Sequence, residues 1–90
     1  MPSNYGAIRA RTQHALIEFL RAELNIGATF VQSALLAYSE GHLDHYAQGK
    51  QNAVKVAASV RKFMDRITDG QTRTEIQDRI TELDRLISTL

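Results

Sequence analysis

Apolar residues recur along most of this chain at alternating steps of three and four, the spacing that gathers them on one side of an α-helix. Three such ladders are present. The first is Ile17, Leu20, Leu24, Gly27, Val31, Ala34 and Tyr38. The second is Leu43, Tyr46, Lys50, Ala53, Ala57, Val60, Met64 and Ile67. The third is Ile76, Ile80, Leu83, Ile87 and Leu90. They predict helices over about residues 5–40, 43–68 and 72–89.

The breaks between ladders carry their own signals. Gly41 follows Tyr38-Ser39-Glu40 and suits the left-handed position that ends a helix. Asp44 then falls in the first turn of the next helix, where a carboxylate favours the positive helix end. Thr68-Asp69-Gly70 is read as the end of the second helix, and Thr72 with Glu75 as a capping box that opens the third. Pro2 is the only proline, Ser3 or Asn4 is the candidate first cap, and Gly6, Arg9, Thr12 and Gln13 fall off the ladder. The first dozen residues are therefore expected to fray or project. Gly27 sits on the ladder without breaking its phase. An interior glycine costs about 1 kcal/mol relative to alanine, so its place on the buried line points to close helix packing.

A short connection at Gly41 forces the second helix back antiparallel to the first. Folding there pairs residues whose numbers total about 84, which sets Phe30 near Ala53, Gly27 near Ala57 and Leu20 near Met64. The third helix returns beside the first. The expected fold is all-α, an up-down-up three-helix bundle built on a long antiparallel hairpin, with residues 1–90 as one domain.

The apolar faces of the two long helices are wider than one partner needs. Ile17, Leu24, Ala28 and Leu35 flank one side of the first ladder; Phe19, Ile26, Phe30 and Ala37 flank the other. Val56 and Phe63 lie on one flank of the second helix, Val54 and Ala58 on the other. A wide apolar arc serves two neighbours, and the third helix is too short to cover all of it. Leu24, Ala28, Leu35, Val54 and Ala58 are accordingly the candidate interaction residues. Their expected occupant is a second copy of the chain or another protein.

Composition narrows the classes. The absence of cysteine excludes disulfides and thiolate zinc sites. A charged fraction of 23% with a formal net charge of +1 favours neither nucleic acid nor a membrane surface. No apolar run approaches the roughly 20 residues that span a bilayer. Met1 to Tyr5 show no basic start leading into an apolar stretch, so no secretory leader is expected and the cytoplasm is the expected compartment.

Candidate chemistry is sparse. His42 and His45 stand three apart beside Glu40 and Asp44, but no third ligand is placed with them, and a solvated helix start accounts for them. No histidine has a carboxylate three residues before it, which leaves no bundle di-metal motif. Glu23 falls inside the apolar arc and would need a cation; the fold-back offers Arg61, and Arg79 is a second candidate, for a structural ion pair. Lys55, Lys62 and Arg66 share one face of the second helix. They form a basic stripe that could follow a phosphate backbone, with an acidic third helix as the alternative complement. No phosphate loop, nucleophile triad or dinucleotide fingerprint occurs. No catalytic residue, cofactor, metal or small-molecule substrate is therefore expected, and the reading is a non-enzymatic interaction module.

Residues 30–58 resemble a single tetratricopeptide helical hairpin. Phe30 stands at its bulky aromatic position, Ala34 at its small residue, Gly41 at its turn glycine and Ala53 at a small packing position. Ala37 and Tyr46 depart from that pattern, and only one copy is present, whereas such repeats stack in threes or more. The resemblance implies hairpin packing of two helices.

Overall fold

The computed structural model describes residues 5–90, with side chains from residue 10 onward. The expected cap at Ser3 or Asn4 lies outside the described residues. Three helices follow in order: α1, Tyr5–Ser39; α2, Leu43–Met64; and α3, Gly70–Ser88. There is no strand among the described residues. The fold is an all-α three-helix bundle in which α1 packs extensively against α2.

Helix α1 runs unbroken through Asn25 and Gly27 and ends at Gly41, whose φ of 78° is left-handed. The His42 N–H donates to the Ala37 carbonyl at 2.8 Å and the Gly41 N–H to the Tyr38 carbonyl at 3.1 Å. These are the paired bonds of a Schellman motif. They satisfy carbonyls that the helix end would otherwise leave open, and they turn the chain back on itself.

The α1–α2 register follows the fold-back closely. A side chain built at Gly27 would meet Val56, one residue from the expected Ala57, and Tyr38 stacks on Tyr46. Helix α3 returns parallel to α1. Arg21 bonds to Glu75 and Arg79 to Asn25, both at an offset of 54 residues. That offset sets Gly70 level with Leu16 and Ser88 level with Ala34, so α1 outruns α3 at both ends.

The core consists of Leu20, Leu24, Val31, Ala53, Val56, Ala57, Val60, Ile67, Ile76, Ile80 and Leu83. Removing each large aliphatic side chain from water is worth about 1.5–3 kcal/mol, which makes this column the main source of stability. Three ladder positions differ from the sequence reading. Lys50 is exposed and Gly49 takes the buried place; Leu43 and Tyr38 are exposed beyond the end of α3.

Two boundaries also differ. Helix α2 stops at Met64, short of residue 68, because Ile67 swings into the core from the connecting segment, where it is fully buried. Its surroundings absorb the freed backbone groups. The Gln13 amide donates to the Arg66 carbonyl and accepts from the Thr68 N–H, and the Arg73 guanidinium donates to the Ile67 carbonyl at 2.7 Å. Helix α3 begins at Gly70, with Asp69 as its cap, its carboxylate accepting from the Thr72 N–H at 2.9 Å. Thr72 lies inside the helix and Glu75 turns to Arg21 of α1, so the capping box read at these two residues is not formed.

Candidate functional site

Interior groups offer no chemistry. No polar or charged side chain is buried among the described residues. Glu23 is only partly buried and enters no ion pair. Arg61, its expected partner, pairs with Asp84 of α3, and Arg79 donates to Asn25 at 2.7 Å. The cause is the position of α3, which brings its own acids to the α2 edge and leaves Glu23 at the rim of the hairpin.

The histidine cluster is a surface feature. The rings of His42 and His45 lie 5.7 Å apart and His42 Nε2 stands 3.5 Å from a Glu40 carboxylate oxygen. Among the described residues no three histidine or carboxylate side chains converge as a metal would require. No helix of the described residues is long and apolar enough to cross a membrane.

The surface carries the remaining candidates. Among the described residues, the large apolar side chains left exposed are Phe19, Ile26, Leu35, Leu36, Tyr38, Leu43 and Val54. Four of these seven, Leu35, Leu36, Tyr38 and Leu43, lie at the hairpin end that α3 does not reach. A shallow depression there is lined by Leu35, Tyr38, Tyr46, Thr89 and Leu90, and the Tyr46 hydroxyl donates to the Leu90 carbonyl, tying the end of the chain to α2.

The expected interaction residues separate. Leu24 belongs to the core, 3% exposed, because Leu83 and Leu86 of α3 close over it. Ala28 is half-buried on the α1–α3 edge, in a depression shared with Arg79, Glu82, Leu83 and Leu86. Val54 and Ala58 are exposed on the face of α2 that leads to Arg61, whose ion pair with Asp84 marks the α2–α3 edge. The end of α3 therefore sits between Ala28 and Val54, while Leu35 lies past it.

Lys55 and Lys62 of α2, about a quarter turn round from Val54, and Arg66 just past the helix end are exposed. Phe63 stands among them: Lys62 Nζ lies 5.7 Å and the Arg66 guanidinium 4.9 Å from its ring centre. Phe19 of α1 meets the same ring edge to face at 6.2 Å. The signal was Phe63 on the flank of the second ladder, read as a packing residue alone.

Two carboxylates of the α3 segment are held by near neighbours in the chain. The Arg85 guanidinium holds the Glu82 carboxyl below its ordinary range and is itself raised by that bond. The Asp69 carboxyl is lowered by the Thr72 hydroxyl and then by the Thr72 N–H.

No protein-family model matches this chain, and neither a curated protein nor a solved structure is significantly similar to it.

Proposed function

We propose that this chain is a non-enzymatic helical interaction module that associates with a second copy of itself. The observation that carries the reading is the apolar end of the hairpin. Leu35, Leu36, Tyr38 and Leu43 are between 48% and 62% exposed within two turns of the reversal, and Val54, about three turns further along α2, is 48% exposed. An exposed patch of this kind, held on rigid helices, marks an interaction surface. A second copy offers the same patch, so a two-fold axis there buries both at once.

Size measurement in solution tests the proposal. The full chain is expected to sediment as a dimer, and Leu35→Glu or Val54→Glu to give a monomer with an unchanged helical circular dichroism spectrum. A wild-type chain that remains monomeric at high micromolar concentration overturns it.

A further inference from the structure

We propose that the groove between α1 and α2 on the side away from α3 is a docking site for an acidic amphipathic helix of a partner protein. An antiparallel helix pair presents two grooves. Helix α3 fills one, where Arg21, Asn25, Leu24 and Arg61 meet Glu75, Arg79, Leu83 and Asp84. Among the described residues no element covers the other.

Its walls have a definite chemistry. On α1, Phe19 and Ile26 are seven residues apart, so they stand two turns apart on one face. Each is 45% exposed. On the other side of the groove stand Lys55 and Lys62 of α2 and Arg66 just past its end, and none of the three forms an ion pair among the described residues. The acidic residues of α2 and its cap, Asp44 and Asp65, lie at the two ends of the helix and leave the wall between them basic. A helix with apolar residues at i and i+7 and carboxylates along one flank matches both walls, in the manner of helix-in-groove recognition.

The occupant is neither a second copy nor a nucleic acid. On α3, the most acidic helix of the chain, Glu75 is engaged by Arg21, Glu82 by Arg85 and Asp84 by Arg61. Of the four acids on that helix only Asp78 is left without an ion pair among the described residues, so α3 of a second copy offers one free carboxylate where a whole flank of them is needed. The Phe63 ring is covered by Lys62 and Arg66 and abutted by Phe19, and the half-exposed Phe19 alone does not make the succession of stacking platforms that a single strand uses.

The test is a fluorescence anisotropy titration of the full chain into three labelled probes. The first is a designed helical peptide with leucines at heptad spacing and glutamates on one flank. The others are the same composition scrambled, and an oligothymidylate. The designed peptide is expected to bind about tenfold or more tightly than either comparator. Ile26→Gln and Lys62→Glu are each expected to weaken it by about tenfold, with unchanged circular dichroism and urea midpoint; Lys55→Glu is a second charge variant should Lys62→Glu lose its fold. Leu35→Glu, on the other surface, is expected to leave peptide binding unchanged. No binding of the designed peptide at high micromolar concentration, equal binding of the scrambled one, or tighter binding of the oligonucleotide overturns the proposal.

Discussion

Two glycines carry the close approaches in this bundle, and they differ in what surrounds them. A Cβ at Gly49 would lie 3.0 Å from Ala34 Cβ, 3.1 Å from the Phe30 carbonyl oxygen and 3.3 Å from Ala34 Cα. Backbone atoms of α1 cannot rotate aside, so the helices would have to separate. A Cβ at Gly27 would lie 2.9 Å from Leu83 Cδ2 and 3.0 Å from Val56 Cγ1, the ends of side chains. Overpacking costs about 1–3 kcal/mol, and replacing a helical glycine by alanine returns about 1 kcal/mol. Gly49→Ala is therefore expected to destabilise by up to about 2 kcal/mol in urea unfolding, while Gly27→Ala stays within about 1 kcal/mol of wild type. The reverse order would mean that α1 and α2 approach more closely at Gly27 than at Gly49. Gly27 was legible because it fell on an apolar ladder with Leu24 and Val31. Gly49 was not, because a residue without a side chain leaves no mark in a hydrophobic count, and the neighbouring Lys50 filled the vacant phase.

Each helix end closes by a different device, and these devices set the lengths. Gly41 was readable since only glycine takes a φ of 78° at no steric cost. Nothing lies within 4 Å of a Cβ built there, so Gly41→Ala is expected to cost about 1 kcal/mol of unfolding free energy through backbone conformation alone. The early end of α2 was not readable. Ile67 kept the helical phase of its ladder, and its departure from the helix depends on Gln13 and Arg73, which are brought to it only by the tertiary fold. At α3, both Asp69 and Thr72 had capping chemistry, and the one nearer the core entry won. Asp69 titrates below its ordinary range when folded, first through the Thr72 hydroxyl and then through the Thr72 N–H. A lowered folded pKa adds stability that is present above the ordinary carboxylate range and is lost as pH falls through the folded value. The stability difference between wild type and Asp69→Ala should thus be widest at neutral pH and shrink on acidification. A difference that stays constant down to the acid end of the titration would show that the ionised carboxylate is not what caps α3.

At the scale of the molecule, the sequence predicted the bundle and its antiparallel register, because both follow from ladder phase and one short turn. It did not predict which groove of the hairpin α3 occupies, since Leu24 and Phe30 flank the first ladder with apolar surface on either side. Placement of α3 on the Leu24 side converts that residue to core and leaves Phe19 and Ile26 half-exposed. What remains outside is a rod 64 Å long and 18 by 15 Å across, with one apolar end. If two copies share that end, folding is linked to association, and the unfolding midpoint must rise with protein concentration by mass action. Ile80→Val, in the fully buried core, removes one methylene at a cost of about 0.5–1.5 kcal/mol. It should lower the midpoint at every concentration and leave the slope against concentration intact. Leu35→Glu should do the opposite, flattening the slope while the midpoint at the lowest concentration stays near that of wild type. A wild-type midpoint that does not move across a hundredfold dilution would place the apolar end in water in the native state, and the two-copy reading would fail there.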